Sequence, residues 1–431
     1  MSVTVILGKN GSGKTQYVDN MRKQLSSDSV RYVAFRDSYG ASVDHAYYLQ
    51  LRWNQHDIDA ETPDVENLLE KTFLITGADT KERRDWQRHL YDLFDMSPLL
   101  AKYIITLSSG ELRKFQLTRT LLARPTTLII DNPFVGLDSN ARELLNQLIQ
   151  KLSGEQNMEI FLVLSRRSEI PDNVAEIIEI GDFHENNENR LSEDKRNALL
   201  NLPYSGTDYQ AEEVIAMRNV SIRYGSRIIL KDLNWIVKNG ERWALGGQNG
   251  SGKSTLLSLV CADNPQSYAC DIALFGHQRG SGESIWDIKK HIGYVSPEMH
   301  RSYHRNIPAI QIVASGLKDT VGLYVRANEA EKEQCRWWLD LFGISHLADR
   351  SFLQMSSGEQ RLVLLARAFV KDPELLILDE PLHGLDAENR LLVKDIIDTF
   401  CQRRNKTMIM VTHYEEELPP CINQKLYLKR N

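Results

Sequence analysis

The sequence contains a long internal repeat. An offset of 248 residues places Leu107–Arg142 on Met355–Arg390 without a gap. Each copy contains the tetrapeptide Ser-Ser-Gly-Glu and, 23 residues after its first serine, an aspartate that ends an apolar run. The lysine of a Gly-rich motif precedes the tetrapeptide by 94 residues in the first copy and by 103 in the second. Self-similarity over so long a period predicts two homologous domains, with an insertion between the motifs of the second.

Short apolar runs alternate with helical patterns in both copies. The first copy has such runs at Val3–Leu7, Thr126–Asp131 and Ile160–Ser165, and the second repeats them as RWALGG, ELLILDE and MIMVTH. Apolar runs between helices are typical of buried strands in a parallel sheet, whose ligands bind at the carboxyl ends of the strands. We therefore predict an α/β fold with a mainly parallel sheet in each domain.

The domain boundaries follow from a change in composition between the copies. Gly181–Val214 contains eight acidic and three basic residues, and Asn and Gly are frequent in it. Such a segment is typical of a solvated linker, here with one short helix. We predict a first domain over residues 1–180, an acidic linker over 181–213 and a second domain over 214–431.

The composition excludes several classes of protein. Apolar residues make up 42% and charged residues 26% of the 431 residues, as in ordinary globular proteins. The net charge of -6 argues against bulk nucleic-acid binding. No apolar run reaches the roughly 18 residues that a membrane span requires, and the N-terminus does not resemble a signal peptide. The five cysteines lack metal-binding spacing, so we expect reduced thiols in a cytoplasmic protein.

Two Gly-rich motifs match the pattern GxxxxGK[ST]. Each follows a predicted strand and precedes a predicted helix, which is the arrangement of a phosphate-binding loop. The backbone N–H groups of such a loop surround a phosphate chain, its lysine reaches the β and γ phosphates, and its final hydroxyl binds Mg²⁺. The predicted nucleotide-binding residues are Gly8, Lys9, Asn10, Gly11, Ser12, Gly13, Lys14 and Thr15 in the first copy, and Gly247, Gln248, Asn249, Gly250, Ser251, Gly252, Lys253, Ser254 and Thr255 in the second.

The tetrapeptides carry a family resemblance. A Ser-x-x-Glu pattern alone indicates only a helix N-cap. Together with the phosphate-binding loops, however, LSSGE and MSSGE resemble the LSGGQ-like signature of the ABC ATPases. The resemblance implies two ABC-type P-loop domains, each with a helical subdomain, in which each signature contacts the γ phosphate of ATP held by the other domain. The signature residues are Ser108, Ser109, Gly110 and Glu111 in the first copy, and Ser356, Ser357, Gly358 and Glu359 in the second.

The second copy matches the catalytic residues of this family. The resemblance assigns Asp379 to Mg²⁺ binding, Glu380 to polarising the attacking water and His413 to contacting the γ phosphate. Gly384–Asp386 matches the D-loop, and Tyr224 lies where the family places an aromatic residue that stacks on adenine; an ordinary strand tyrosine is the alternative. The resemblance thus implies an ATPase that uses ATP and Mg²⁺, and pairing of the two domains within one chain implies a monomer. The implied Mg²⁺ ligands are Thr15, Asp131, Ser254 and Asp379.

The first copy departs from this pattern. Asn132 stands at the position of Glu380, and Arg166 is predicted to stand at that of His413. An amide cannot accept a proton from water, and a positioned base contributes on the order of 10²- to 10⁴-fold in rate. The segment that carries Tyr224 has no counterpart before the first loop, so we expect this domain to lack the N-terminal antiparallel segment. We therefore expect the first site to bind nucleotide weakly or to hydrolyse it slowly.

A second departure is common to both copies. The family usually has a glutamine after a Gly-Tyr-Val strand, where it reports the γ phosphate. The second copy has Pro297 and Glu298 there, and the first has Phe35 and Arg36. This glutamine is therefore not part of either predicted site.

Longer stretches narrow the resemblance. RAFVKDPELLILDEPLHGLDAENR, WWLDLFGI and RSEIP are similar to the ModF-type ATPases, tandem ABC proteins described as photorepair or molybdenum-transport ATP-binding proteins. The similarity extends over almost the whole chain. It implies the ATP-binding component of a molybdate-like transport system whose membrane permease subunits are separate chains. Such a protein is expected in the cytoplasm or at the cytoplasmic face of the membrane.

Two other functions stay open. Translation-type tandem ABC proteins act on ribosomes but carry a long, basic linker, whereas the linker here has a net charge of -5, which ribosomal RNA repels. Nucleic acid is therefore not the expected partner. A nucleotide-dependent binding module without hydrolysis is disfavoured because Asp379, Glu380 and His413 are all present.

Overall fold

The computed structural model contains two compact units, Met1–His184 and Glu185–Asn431. The structure describes residues 3–9, 12–25, 30–34, 63–104, 107, 109–134, 137, 139–155, 158–181, 190–203, 212–225, 227–248, 250–297, 299, 303, 306–320 and 327–429. Each unit has its own parallel sheet. Within this part of the chain, no helix has both the length and the apolar character that crossing a bilayer requires.

The first unit is built on a parallel sheet. Its described strands are β1 (Val3–Leu7), β2 (Val30–Ala34), β3 (Thr127–Asp131), β4 (Glu159–Leu164) and β5 (Glu176–Glu179). Their spatial order is β2-β3-β4-β1-β5, and every described pairing is parallel. All five residues of β1 are buried, as expected for a strand covered on both faces of a parallel sheet.

Helices cover this sheet and form a separate helical layer. The described helices are α1 (Lys14–Gln24), α2 (Val65–Ile75), α3 (Lys81–Leu93), α4 (Ser109–Leu121) and α5 (Ser139–Glu155). Asp64 caps α2 and Thr80 caps α3, because their side-chain oxygens accept backbone N–H groups of the first turns. Trp86 on α3 donates its indole N–H to the carbonyl of Leu121 at 2.9 Å, which joins α3 to the end of α4.

The second unit has the same parallel sheet and an additional antiparallel one. Its strands are β6 (Glu213–Tyr224), β7 (Arg227–Lys238), β8 (Arg242–Gly247), β9 (Asp271–Leu274), β10 (His277–Gln278), β11 (Ile292–Val295), β12 (Leu375–Asp379), β13 (Thr407–Val411) and β14 (Gln424–Leu428). The parallel order β11-β12-β13-β8-β14 is that of the first unit when the strands are matched through the repeat.

The antiparallel sheet has the order β10-β9-β6-β7 and leads directly into β8. No antiparallel sheet occurs in the described part of the first unit, where β1 precedes the phosphate-binding loop. The predicted fold of two tandem P-loop domains is therefore confirmed, and the residues described for the first domain agree with the expectation that it lacks this sheet.

The helical layer of the second unit surrounds a group of aromatic residues. The described helices are α6 (Glu193–Leu200), α7 (Lys253–Val260), α8 (Ile285–Lys289), α9 (Ala309–Ser315), α10 (Glu329–Leu341), α11 (Ser357–Phe369) and α12 (Ala387–Cys401). Trp338 on α10 is fully buried and lies with its ring centroid 5.5 Å from that of Phe369 on α11 and 6.4 Å from that of Phe400 on α12. These contacts join the helical layer to the helix that follows β12.

Part of the segment between the copies is packed rather than solvated. Leu191 is 5% exposed and Leu199, on α6, is 0% exposed, and both belong to the core of the second unit. Arg190 forms an ion pair with Asp395 on α12 at 2.8 Å. The expected short helix is present as α6, and most of residues 190–203 are exposed or half-buried, but the expectation of a solvated segment does not hold at Leu191 and Leu199, which reach the core.

Candidate functional site

The second phosphate-binding loop connects β8 to α7. Lys253 begins α7, and its ammonium group turns back to donate to the carbonyl oxygens of Gly247 at 2.6 Å and Gln248 at 3.2 Å. Gly252, with φ 97°, precedes the helix and provides no side-chain cap. The first N–H groups of α7 are therefore available to a ligand in the loop, and the ammonium group lies inside the loop.

The first loop reproduces this geometry. Lys14 begins α1, donates to the carbonyl of Gly8 and donates to that of Lys9 at 2.8 Å. Gly13 precedes α1 with φ 91°, again without a side-chain cap. Both loops therefore fold alike, although their surroundings differ. The predicted loop residues that lie outside the described residues are Asn10, Gly11 and Asn249.

The residues present fit a bound phosphate chain with Mg²⁺. The hydroxyls of Ser12 and Ser251 are buried, and neither has a hydrogen-bond partner in the described part of the chain. A Cβ atom added to Gly247 would lie 2.5 Å from the Ser251 hydroxyl, so the observed conformation of the loop requires glycine at this position. Thr15 and Ser254, one residue after each lysine, expose hydroxyl oxygens of the kind that Mg²⁺ prefers. Loop amides, lysine and hydroxyl together are the donor set that a nucleotide phosphate requires.

A carboxylate lies between two histidines at the end of β12 in the second unit. Glu380 follows Asp379, and its N–H donates to the carbonyl of Val411 on β13 at 2.9 Å. Its Oε1 lies 3.2 Å from Nε2 of His413, and its Oε2 lies 3.3 Å from Nδ1 of His383. The structure thus brings together Glu380 and His413, which the sequence analysis selected, and adds His383, which it did not.

The first unit has the same backbone without the carboxylate. The N–H of Asn132 donates to the carbonyl of Val163 at 3.0 Å, as that of Glu380 does to Val411. Both residues have a left-handed backbone, with φ 51° at Asn132 and 49° at Glu380. An amide therefore occupies the place of the carboxylate, as the sequence predicts.

The predicted equivalence of Arg166 and His413 is wrong by one residue. In the parallel sheets, Val163 pairs with Asp131, and Val411 pairs with Asp379. Two residues after these strand positions come Ser165 and His413, respectively. The strand register therefore places Ser165, a small neutral residue, where the second unit has its histidine.

An ion pair that occurs at equivalent positions in both units supports this register. Arg142 lies 3.8 Å from Glu169 in the first unit, and Arg390 lies 3.0 Å from Glu417 in the second, at the offset of the repeat. Arg166 also forms an ion pair with Glu169, at 2.6 Å, so Glu169 faces both arginines. Aligning LSRRSEIP with VTHYEEELP from their first residues, although the second segment is one residue longer, produced the shift.

The signature of the second unit forms a helix cap. The hydroxyl of Ser356 accepts the N–H of Glu359 at 3.3 Å, and the Glu359 carboxylate accepts the N–H of Ser356 at 2.7 Å. Ser357 and Gly358 lie in the first turn of α11. In the first unit, Glu111 forms an ion pair with Lys102 at 2.8 Å. Ser108 lies outside the described residues, and Ser109 and Gly110 begin α4.

Tyr224 is the last residue of β6. The chain continues through β7 to β8, the strand that leads into the second phosphate-binding loop. Tyr224 is half-buried, and its hydroxyl accepts the amide of Asn264 at 2.9 Å. Burial raises the pKa of Tyr224, and the hydrogen bond from Asn264 opposes part of that rise. The tyrosine is thus held in one orientation at the end of the antiparallel sheet. Of the residues at the glutamine position, Pro297 is described, whereas Glu298, Phe35 and Arg36 are not.

A tyrosine beside each strand-end aspartate was missed by the sequence analysis. Tyr32 on β2 donates its hydroxyl to Asp131 at 2.6 Å. Tyr294 on β11 has the same register in the second sheet, opposite Ile377 as Tyr32 is opposite Ile129. Burial, the nearby Cys261 thiol and the Asp379 carboxylate raise the pKa of Tyr294 well above its ordinary value. Matching the two copies at these strands would have revealed the pair.

Comparisons with known proteins agree with this geometry. The family model described as ABC transporter matches residues 1–135 and 230–383. The ABC transporter ATP-binding protein ModF of Escherichia coli (strain K12) is 35% identical over 445 residues, covering 97% of this chain and 90% of that protein. The uncharacterized ABC transporter ATP-binding protein C323.04 of Schizosaccharomyces pombe is 28% identical, covering 98% of this chain and 91% of that protein. The archaeal ribosome recycling factor aABCE1, solved with ribosomal stalk protein aP1, shares the fold at a TM-score of 0.50, with 18% identity and coverage of 99% and 83%.

Proposed function

The chain belongs to the ABC transporter family, whose general activity is ATP hydrolysis, and on that premise we propose that it binds two ATP molecules and hydrolyses ATP mainly in its second unit. The observation that carries this proposal is the difference between the units at the end of the strand after the signature helix. The second unit has Glu380 in contact with His413, whereas the first has Asn132 and Ser165.

The second site has the groups that phosphoryl transfer to water requires. The loop amides and Lys253 bind the β and γ phosphates, and Ser254 and Asp379 are the residues that would hold Mg²⁺. Mg²⁺, when bound, neutralises charge on the phosphate oxygens. Glu380 accepts a proton from the attacking water, and His413, two residues after the end of the neighbouring strand, contacts the γ phosphate. A base in this position contributes on the order of 10²- to 10⁴-fold in rate.

The two units are proposed to pair head to tail. The second-unit site then comprises Lys253, Asp379, Glu380 and His413 with the signature residues 108–111, and the first-unit site comprises Lys14 and Asp131 with residues 356–359. A nucleotide-bound structure tests this pairing. A distance of more than about 10 Å between Ser109 and the γ phosphate at Lys253 would contradict it, because a hydrogen bond requires roughly 3 Å.

Steady-state hydrolysis by the full chain tests the asymmetry. Glu380→Gln should lower turnover by about two orders of magnitude while ATP still binds, because the amide cannot accept the proton. Lys253→Ala should abolish both binding at that site and turnover, whereas Lys14→Ala should leave much of the turnover. Equal damage from Lys14→Ala and Lys253→Ala would refute the assignment of hydrolysis to the second unit.

The proposed biological role is that of the ATP-binding component of a transport system with separate permease subunits. The similarity to the ABC transporter ATP-binding protein ModF supports it, and a molybdate-like cargo is proposed from the same relationship. The proposed location is the cytoplasm or the cytoplasmic face of the membrane. Purification of the Glu380→Gln protein from cells in the presence of ATP tests this role. Recovery of a membrane permease would support it, and recovery of ribosomes would instead select the translation-type alternative.

A further inference from the structure

We infer that His383 is a positioning residue for Glu380 and that it holds the carboxylate oxygen that His413 does not contact. This inference rests on the proposed function, in which Glu380 accepts a proton from water. His383 lies in the turn that follows β12, and none of the sequence motifs assigns it a role.

The geometry places one histidine on each oxygen of the carboxylate. His413 Nε2 lies 3.2 Å from Oε1, and His383 Nδ1 lies 3.3 Å from Oε2. The side chains are 17%, 11% and 10% exposed for Glu380, His413 and His383, so water competes little for these contacts. The terminal torsion of a glutamate is broad when it is unrestrained. Contacts to both oxygens therefore fix the plane of the carboxylate.

The turn itself brings His383 back to the carboxylate. The N–H of His383 donates to the carbonyl of Glu380 at 3.2 Å, and Gly384, with φ 75°, follows. Glu380 has a left-handed φ of 49°, which is rare for a residue with a long side chain. Backbone strain of this kind is concentrated at functional sites.

The internal repeat provides a control for the role of the histidine. At the offset of 248 residues, Glu380, His383 and His413 correspond to Asn132, Val135 and Ser165. All three polar groups of the second unit are thus replaced together in the first. Val135, which lies outside the described residues, has no polar side-chain atom.

The backbone at the start of the turn does not require a histidine. The backbone at Asn132 has the same left-handed φ and the same hydrogen bond to the neighbouring strand as that at Glu380, although a valine follows three residues later. If the histidine served only to form this backbone, both units would be expected to have it, yet the first has Val135. Its presence only beside the carboxylate indicates that it acts on the carboxylate.

The expected kinetic effect is on turnover rather than on ATP binding. His383 contacts the proposed general base, through which it would act on the chemical step. A misplacement of a catalytic group by about 1 Å can lower a rate by about 100-fold. Because His413 still holds one oxygen, we expect His383→Ala to lower kcat by about tenfold and to change KM for ATP by less than about twofold.

Two further variants make the experiment specific. His383→Asn places an amide N–H near the former Nδ1, so it should retain most of the kcat that His383→Ala loses. His277, an exposed histidine on β10, is the matched control, and His277→Ala should change neither constant. An unchanged or increased kcat in His383→Ala, or an equal loss in His383→Asn, would overturn the inference.

A double-mutant cycle separates this inference from the proposed function. It is measured in a Lys14→Ala background, so that the remaining turnover belongs to the second site. If His383 acts through the carboxylate, His383→Ala should lower the residual rate of Glu380→Gln by less than about twofold, since there is no carboxylate left to position. A full tenfold loss on top of Glu380→Gln would refute the positioning role. Failure of Glu380→Gln to reduce turnover would instead refute the proposed function.

Discussion

Replacement of Leu199 by alanine tests how residues 190–203 are held on the second unit. Leu199 on α6 is 0% exposed and belongs to the same core as Trp338 and Phe400. Leu→Ala changes at fully buried positions cost about 2–5 kcal/mol. Because α6 is short and lies at the edge of this core, where neighbours can relax, we expect a loss of about 2–3 kcal/mol.

Polar contacts of the same segment should contribute less. Arg190 pairs with Asp395 at 2.8 Å and Lys195 with Asp340 at 2.9 Å, and the two basic side chains are 58% and 38% exposed. Exposed ion pairs contribute about 0–1 kcal/mol. Arg190→Ala and Lys195→Ala should therefore each destabilise the protein much less than Leu199→Ala does.

Scanning calorimetry of the full chain measures the difference. For a unit of this size, a loss of 1 kcal/mol lowers Tm by about 2–4 °C, so Leu199→Ala should lower the Tm of the second unit by about 5–10 °C. Leu200→Ala is the matched control, because Leu200 is the next residue of α6 and is 36% exposed. Hydrogen exchange of α12 assigns the transition to the second unit. Equal shifts for Leu199→Ala and Leu200→Ala, or larger shifts for the ion-pair variants, would refute the reasoning.

Three further predictions concern the nucleotide sites. Tyr224→Ala should raise KM for ATP by about 5- to 150-fold, since base stacking contributes about 1–3 kcal/mol, and Tyr224→Phe should restore the wild-type KM. Gly247→Ala should abolish ATP binding at the second site, measured by nucleotide titration in a Lys14→Ala background, because the new Cβ would lie 2.5 Å from the Ser251 hydroxyl and 2.7 Å from the Leu428 carbonyl oxygen. Gly154→Ala, in open space on a helix, should have no effect. In a Glu380→Gln background, which inactivates the second site, Asn132→Glu combined with Ser165→His should restore part of the turnover at millimolar ATP. Equal recovery when Arg166→His replaces Ser165→His would contradict the strand register.

The sequence predicted the architecture well because the repeat and the strands carry strong signals. Apolar runs ending in polar residues marked β3, β12 and their neighbours, and the Gly-rich motifs fixed the turns between strand and helix. The matching strand order of the two parallel sheets followed from homology of the copies. These features are local in the sequence, so no tertiary information was needed.

The missed features depend on contacts that a local pattern does not contain. The acidic composition of residues 181–213 obscured Leu191 and Leu199, which are buried by α10 and α12 from much later in the chain. The equivalence of Arg166 and His413 failed because the two segments differ in length by one residue as they were compared, and only the strand register shows which residues correspond. His383 was overlooked because only the folded turn brings its ring to Glu380.

The left-handed turn after each strand-end aspartate has a consequence for how the two units have diverged. The conformation is disfavoured for most L-amino acids by about 1–2 kcal/mol, and asparagine is among the residues that adopt it most readily. Glu380 and Asn132 occupy it with nearly the same φ. A domain released from hydrolysis therefore gains folding stability when asparagine replaces the glutamate, whereas a domain that retains hydrolysis must keep the less stable residue. Under the proposed assignment of hydrolysis to the second unit, stability and chemistry oppose one another at this single position, and the two copies of the domain resolve that conflict differently.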